Sequence, residues 1–324
     1  MTSAARPSSN GGGPGGGGPR ISGSAGVGAV AGTGASTGAG ASTPLSSIAK
    51  RLLFGTAGVP HSAEGDSTVK GIERVAALGL DCLEIEAVRG VHMGEDTARQ
   101  VRAKAQAQRI GLSLHAPYYI NLLSPEEGKR LASQKYLLSA VRVAHLCGAK
   151  SVVFHAGYYR QLSPEEAYPQ IKKSLAEILS VLKSERNTVR LRIETMGRPK
   201  QFGTLEEVLF LCRELEGLGP CLDFSHIHAR QGRVNSFPEF DRILRKLGRK
   251  LGPAALKDVH FHIAGVDYGR IGEIKHLDLK ESNFRYDEWI EALKENNVSG
   301  MVICESPNLE ADALMLKKLY GSKR

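Results

Sequence analysis

Six apolar, strand-like runs of this chain each end in a residue that can bind a metal ion. The residues at these ends are, in chain order, His115, His155, Glu194, Asp223, His262 and Glu305. Each interval between them is long enough for one helix and two loops. In a (β/α)8 barrel the C-terminal ends of the strands form one face, and the chemistry takes place on that face. The spacing therefore predicts that three imidazoles and three carboxylates converge on one metal site.

The chain from residue 51 onward alternates between strand-like and helix-like patterns eight times. Strands are predicted near 51–54, 81–86, 112–115, 151–155, 189–194, 220–224, 258–263 and 300–304. Helices are predicted near 67–78, 95–109, 126–147, 164–184, 204–216, 236–250, 285–296 and 309–320. This α/β pattern favours a single (β/α)8 TIM barrel over residues 47–324. A doubly wound open sheet is the alternative, but it would scatter the six ligand candidates.

The first 46 residues form a Gly/Ser-rich segment with almost no large apolar side chain. Such a segment cannot bury enough surface to offset the entropy lost on ordering, so residues 1–46 are predicted to be a disordered tail. Arg6 and Arg20 are its only charged residues, and it has no amphipathic helix pattern. A flexible tail is therefore favoured over a transit peptide.

Composition narrows the class of protein further. The five cysteines are scattered without a CxxC pair, which favours free thiols in a reducing compartment. No apolar run approaches the roughly 18 residues that a membrane span requires. We therefore expect a cytoplasmic monomer with no membrane partner. The formal net charge of +9 favours acidic partners such as nucleic acid.

Basic residues follow several of the predicted strand ends, among them Arg160, Arg198, Lys200 and Arg230. A phosphate-bearing substrate would explain this bias. The competing interpretation is a general excess of basic residues, because a predicted outer helix is also basic. That helix carries Arg242, Arg245, Lys246, Arg249 and Lys250. Both interpretations remain open from the sequence.

Two further histidines extend the set of ligand candidates. His226 follows Asp223 by three residues, and His276 lies in a loop with Glu273 three residues before it. Strand alternation puts His260 on the same face as His262 but one layer deeper, so His262 is predicted to be the ligand and His260 to be either packed or in contact with the ligands from behind. Nitrogen and oxygen donors without thiolate favour Zn²⁺, Mn²⁺ or Fe²⁺ over Ca²⁺ or Mg²⁺.

The motifs in this order resemble those of the endonuclease IV family of apurinic/apyrimidinic endonucleases, in the xylose-isomerase-like TIM-barrel superfamily. The resemblance covers about residues 52–320 and is strongest to the compact archaeal-type branch. It rests on HAPYYINL at 115–122, FHAGYY at 154–159, IETMG at 193–197, DFSH at 223–226, HIAG at 262–265 and CESPN at 304–308. Single motifs of this kind are weak, whereas the ordered series is specific.

The resemblance implies a trinuclear zinc site. His115 and His155 would hold one ion, which Glu194 would bridge to a second ion completed by Asp223, His262 and Glu305. His226 would bind the third ion with His276, where the family uses an Asp-x-His pair. This chain departs from that pair, because Glu273-Ile274-Lys275-His276 has two intervening residues, which puts Glu273 in doubt as a ligand. Two to three Zn²⁺ ions are expected, with Mn²⁺ as the alternative metal.

The resemblance also implies an activity. The expected reaction is hydrolysis of double-stranded DNA 5′ to an abasic site, by in-line attack of a metal-activated hydroxide. Glu194 and Glu305 would be the catalytic residues. Tyr118 and Tyr119 match the positions that enter the DNA near the lesion, and a stacking aromatic pair suits displaced bases.

Two other functions compete with this interpretation. A sugar isomerase or epimerase of the same superfamily would also use histidine and carboxylate ligands, but it needs fewer metal ions and no basic loops. A non-catalytic barrel that binds nucleic acid is the second alternative. The His226 ligand and the Tyr118–Tyr119 pair disfavour the epimerase.

Overall fold

The computed structural model of the protein describes residues 51–87 and 90–322. Eight parallel strands close into a barrel in the order β1-β10-β7-β6-β5-β4-β3-β2. These barrel strands are β1 Leu52–Ala57, β2 Cys82–Glu86, β3 Gly111–His115, β4 Ser151–Phe154, β5 Arg190–Glu194, β6 Leu218–Asp223, β7 Val259–Ile263 and β10 Gly300–Cys304. The predicted TIM barrel is therefore confirmed. The predicted tail at 1–46 lies outside the described residues.

The predicted helices are also present, and they surround the barrel. They are α1 Thr68–Ala77, α2 Glu95–Gln108, α3 Glu127–Cys147, α4 Pro164–Ser184, α5 Leu205–Glu214, α7 Phe237–Leu251, α8 Tyr286–Glu295 and α9 Glu310–Gly321. Their apolar faces pack on the outside of the strands, which is why the strands read as nearly continuous apolar runs.

A short helix and a hairpin that carry candidate ligands were not predicted from the sequence. Helix α6, Phe224–Gln231, begins directly after β6 and is only eight residues long, too short for a clear helical period. An antiparallel hairpin follows β7 and consists of β8 Gly265–Gly269 and β9 Gly272–Leu277. Both elements lie at the C-terminal end of the barrel, and both carry candidate ligands.

A cluster of aromatic side chains fixes the start of α6. The ring of Phe224 lies 5.3 Å from Phe261, 5.5 Å from Trp289 and 5.9 Å from Phe240, all edge-on. All four side chains are almost fully buried. Because Phe224 stands between Asp223 and His226, this packing sets the position of both residues at the barrel mouth.

Candidate metal centre

Glu194, at the end of β5, lies at the centre of the strand-end residues. Its Oε2 atom lies 2.9 Å from His155 Nε2 and 3.2 Å from His115 Nε2. The Nδ1 atom of His115 is 2.8 Å from the carbonyl of Ala116. Because a carbonyl only accepts, Nδ1 carries a proton, and Nε2, which faces Glu194 Oε2, is the nitrogen that a metal ion could take. His115, His155 and Glu194 therefore form a first group of donor atoms, all within 4.8 Å of one another.

A second group shares Glu194 and lies deeper in the barrel. It consists of Glu194, Asp223, His262 and Glu305, whose donor atoms are again within 4.8 Å of one another. His262 Nδ1 lies 3.1 Å from Glu305 Oε1 and 3.5 Å from Glu194 Oε1. The structure thus brings together all six residues that the strand-end pattern predicted.

A third group forms where α6 meets the hairpin. Donor atoms of Asp223, His226 and His276 lie within 4.8 Å of one another. Asp223 caps α6, because its Oδ1 accepts a hydrogen bond of 2.8 Å from the backbone N–H of His226. Its other oxygen, Oδ2, remains directed towards the ligand groups. The carbonyl of Glu305 lies 3.3 Å from His276 Nδ1, which leaves Nε2 facing the same group.

Glu273 lies beside this third group despite its spacing from His276. In a regular strand, residues three apart point to opposite faces. The hairpin contains a β-bulge, because Asp267 pairs with Lys275 and Tyr268 pairs with Glu273, so that Ile274 has no opposite residue. The extra residue resets the alternation, and Glu273 and His276 face the same side. Glu273 Oε2 lies 3.4 Å from His226 Nε2.

The donor atoms fit a divalent cation because several of them are buried without a well-directed hydrogen bond. Among the described residues, Asp223 Oδ2, His262 Nδ1 and His276 Nε2 make no well-directed hydrogen bond, although Asp223 Oδ2 lies 3.3 Å from His226 Nδ1 and His262 Nδ1 lies 3.1 Å from Glu305 Oε1. Such atoms cost free energy unless something binds them. All of the predicted ligands are nitrogen or oxygen donors, which suits Zn²⁺ or Mn²⁺. The chemistry of the set therefore fits a metal cluster.

The charges lead to the same conclusion. Burial alone would raise the pKa of Glu194, but the charge of His155 and the hydrogen bonds from His115 and His226 hold that pKa well below its usual range. Burial lowers the pKa of His115, yet the hydrogen bond to Glu194 and the nearby carboxylates raise it to about 10. Protons on the imidazoles thus balance the buried carboxylates, a role that a bound cation would take over.

One buried carboxylate beneath the cluster was not assigned a role from the sequence. Glu84, in the middle of β2, has its Oε2 bonded to Ser113 Oγ at 2.7 Å and to His260 Nε2 at 3.0 Å. Its Oε1 lies 2.9 Å from His262 Nε2. His260 is buried and packed, as predicted. The signal in the sequence was a glutamate inside an otherwise apolar strand, on the inward-facing side.

Aromatic and basic side chains surround the mouth of the centre. Tyr118 is 61% exposed and lines a pocket of about 470 Å³ over the cluster. The ring of Tyr119 lies between those of Tyr118 and Tyr136, at centroid distances of 5.6 and 5.2 Å. Arg198 lines the same pocket, whereas Arg160 and Lys200 line an adjoining cleft. All three basic side chains are exposed.

Arg230, which was predicted to bind DNA, has its guanidinium hydrogen-bonded to backbone carbonyls. Its Nη1 donates hydrogen bonds to the carbonyls of Arg198, Gln201 and Met196 at 2.8, 3.0 and 3.2 Å, and its Nη2 donates to Pro199. The guanidinium therefore holds the loop between β5 and α5 in place. The sequence could not reveal this use, because the loop and Arg230 meet only in the folded barrel.

Comparison with known proteins places the chain in a family. Residues 72–319 match the xylose isomerase-like TIM barrel family, so the chain belongs to that family. An uncharacterised protein of Methanocaldococcus jannaschii is 46% identical over 83% of this chain and 97% of its own length. A probable endonuclease 4 of Aquifex aeolicus is 28% identical over 76% of this chain and 93% of its own length.

Solved structures agree on the fold. Endonuclease IV from Thermus thermophilus superposes with a TM-score of 0.62 at 22% identity, covering 83% of this chain and 97% of that one. A D-tagatose 3-epimerase-like protein superposes with a TM-score of 0.61 at 21% identity, covering 82% and 95%. Both likenesses concern the fold alone. Within the part of the chain that the structure describes, no helix is long and apolar enough to span a membrane.

Proposed function

We propose that the protein is a metal-dependent phosphodiesterase that cuts double-stranded DNA 5′ to an abasic site. The observation that carries this proposal is the third ligand group, Asp223, His226 and His276, beside two groups that share Glu194. With cations at three adjacent sites, both the attacking water oxygen and the leaving oxygen of a phosphate ester would be close to positive charge. The relatives named as probable endonuclease 4 support the same activity.

The residues that would hold the ions follow from the three groups. His115, His155 and Glu194 would hold one zinc ion, and Glu194, Asp223, His262 and Glu305 a second. Asp223, His226, His276 and the added Glu273 would hold the third. When bound, zinc ions lower the pKa of water towards about 7 and neutralise charge on the phosphate. Mn²⁺ is the alternative, because it accepts the same donors.

The protein's own residues would perform the remaining steps. Both carboxylate oxygens of Glu194 contact imidazole nitrogens. Glu194 would therefore hold the ligand groups at fixed positions relative to one another. Glu305, whose side chain is 15% exposed at the mouth, would accept the proton of the attacking water. Tyr118 would fill the space of the missing base, and Arg198 would contact phosphate.

A sugar epimerase is the second candidate, because an epimerase-like structure shares the fold. Such a reaction would leave the third ligand group and the exposed Tyr118 without a role. A family-level likeness in fold does not decide between these chemistries. The two candidates differ in the substrate they turn over, a DNA duplex or a free sugar, so one preparation tests both.

The decisive experiment incubates the purified, zinc-loaded protein with a duplex that contains one tetrahydrofuran abasic analogue. We expect a single incision that leaves a 3′-hydroxyl, which a polymerase extends. Elemental analysis of the same sample should give two to three zinc ions per chain. The matched control is Glu194→Gln, which preserves shape and should abolish incision while keeping the far-ultraviolet spectrum. A folded, metal-loaded protein that leaves the duplex intact and interconverts a ketose would overturn the proposal in favour of the epimerase.

A further inference from the structure

A pocket of about 390 Å³ lies at the base of the barrel, at the end opposite the metal centre. Arg190, the first residue of β5, and Asp258, which precedes β7, are in its wall. Glu194, the last residue of β5, belongs to the metal centre, so the length of β5 separates the two sites. The volume is within the range of about 300–1,000 Å³ that is usual for ligand pockets. The pocket is therefore large enough for a small molecule that does not touch the metal centre.

The alternation of β5 places two arginines at the base of the barrel. Arg190 and Arg192 share the strand face of Glu194, which points inward. Bulky apolar side chains usually fill a barrel interior, so a buried arginine there is costly. Arg192 is only 4% exposed, and its Nε atom has no hydrogen-bond partner among the described residues. Burial lowers the pKa of its guanidinium below the ordinary value, although the charge of Asp258 opposes this effect. The fold thus keeps a positive charge at the base that its own groups do not fully satisfy.

Asp258 shows that the two guanidinium groups are placed to bind one anion. Its Oδ2 lies 2.6 Å from Arg190 Nη1, and its Oδ1 lies 2.8 Å from Arg192 Nη2. Gly219 permits this approach, because a Cβ atom there would lie 2.7 Å from Arg190 Nε. The single carboxylate, which is 50% exposed, balances one of the two positive charges. The pair of arginines therefore has one positive charge left over.

Two more cations line the same pocket. Arg213, on α5, and Lys250, on α7, each lie 4.9 Å from the centre of the Phe210 ring. A cation–π contact holds a charged group in place without neutralising it. The described residues of the wall include four basic side chains and one acid, Asp258, which is an excess of three positive charges. Such an excess in a concave site attracts a multiply charged anion.

The remaining wall of the pocket carries no charge. It consists of Pro220, Leu251, Ala254, Ala255 and Cys212. Burial raises the pKa of Cys212 to about 12, so its thiol stays neutral. A guanidinium group matches two oxygens of a phosphate as well as those of a carboxylate. A ligand that suits both walls therefore has linked phosphates, with space for an attached apolar group.

We infer that this pocket binds the diphosphate group of a small molecule, either inorganic pyrophosphate or a nucleoside diphosphate. One phosphate contacts Arg190 beside Asp258, and the other contacts Arg213 and Lys250. In a nucleoside diphosphate the base lies against the uncharged wall. The pocket shares no residue with the metal centre, so this site does not depend on the proposed function.

Chemical labelling of Lys250 tests the site at its own position. The zinc-loaded protein is treated with an amine-reactive ester, and peptide mass spectrometry gives the labelling rate of each lysine. Saturating pyrophosphate or adenosine diphosphate should slow the labelling of Lys250 about fivefold or more, since a bound phosphate covers the amine. Lys318, which is exposed on α9, is the internal control and should keep its rate. A probe molecule bound at the metal centre leaves this readout unchanged.

The dependence of this protection on probe concentration gives an affinity at the pocket itself, which variants then test. Arg213→Gln should lower that affinity about tenfold, because a charge-assisted hydrogen bond to phosphate is lost. Arg245→Gln, on the exposed face of α7, is the matched control. It removes the same charge outside the pocket and should change the affinity less than about twofold.

Asp258→Asn should give a result that a purely structural ion pair would not. It removes the negative charge that competes with phosphate for Arg190 and Arg192, so the affinity should rise about threefold or more. If Asp258 only held the arginines in place, the same change would weaken binding. Unchanged or weaker binding would contradict the placement of a phosphate beside Arg190. Arg213→Gln, at an exposed position, tests the pocket if Asp258→Asn unfolds.

A single-stranded oligonucleotide is the third probe, and the three probes distinguish the sources of phosphate. Equal or tighter binding of pyrophosphate would support a free diphosphate as the ligand, and tighter binding of adenosine diphosphate would support a nucleotide. Protection of Lys250 by the oligonucleotide alone would overturn the inference in favour of nucleic acid. Unchanged labelling of Lys250 with both small probes, or equal affinities of Arg213→Gln and wild type, would also overturn it.

Discussion

Glu84 Oε1 and His262 Nε2 lie 2.9 Å apart inside the barrel, where both side chains are fully buried. Burial alone would raise the pKa of Glu84, but the charges of His262 and His260 hold that pKa well below its usual range. The ionised carboxylate therefore keeps the Nε2 side of His262 occupied. Its Nδ1 atom is left facing Glu305 and Glu194. A carboxylate behind a ligating imidazole fixes its tautomer and its orientation.

Glu84→Gln is expected to lower zinc affinity about 10- to 100-fold while the protein stays folded, because His262 loses its charged partner. Competition with a chromophoric chelator measures this affinity. Ser113→Ala is the matched control, since it removes one hydrogen bond to Glu84 but keeps the charge, and its effect should be smaller. Equal zinc affinity in Glu84→Gln and wild type would show that Glu84 does not position the ligand.

The bulge in the hairpin predicts different results for two changes at β9. Glu273→Ala should lower zinc content by about one ion per chain, because it removes a donor from the third group. Deletion of Ile274, which is 49% exposed, should retain that ion. Without the bulge residue, Glu273 and His276 become two positions apart and still share a face. Elemental analysis distinguishes the variants, and loss of one ion in the deletion alone would contradict this account.

Arg230→Ala is expected to destabilise the fold by about 2–4 kcal/mol, because several carbonyls of the loop after β5 lose a charged donor. Equilibrium unfolding in urea measures the change in free energy. Arg233→Ala, at an exposed neighbouring position, should change stability by less than about 0.5 kcal/mol. If Arg230→Ala leaves stability intact and weakens only DNA binding, its guanidinium contacts phosphate after all.

Tyr118→Ala should lower kcat/KM on abasic DNA about 10- to 100-fold with little loss of stability, because an exposed ring contributes mainly by stacking on bases. Tyr118→Phe keeps the ring and should retain most activity. Steady-state incision assays on both variants give the comparison. Equal loss in the two variants would assign the role to the hydroxyl group.

Removal of metal should lower the temperature of thermal unfolding by several degrees, since the ions would bind only the folded state. A scan with and without a zinc chelator measures the shift. Restoring zinc should reverse it. Glu194→Gln should show a smaller shift, because it lacks the shared ligand, and an identical shift would argue against ion binding at Glu194.

The order of strands and helices, and the convergence of the six strand-end residues, could be predicted from the sequence alone. Both depend on local periodicity, and a closed parallel barrel brings every strand end to one face whatever the details of packing. His155 and Glu305 illustrate this, since they are 150 positions apart along the chain yet occupy one centre. Helix α6 was missed because eight residues carry too little periodic signal.

Only the tertiary structure decided the roles of Glu273, Glu84 and Arg230. Glu273 reaches the third ligand group because β9 pairs with β8 around a bulge, and strand pairing is not encoded in a local pattern. Glu84 and Arg230 acquire their partners from strands and loops distant in sequence. A side chain's chemical type is fixed by the sequence, but its partner is fixed by which atoms the closed barrel brings within a few ångströms of it.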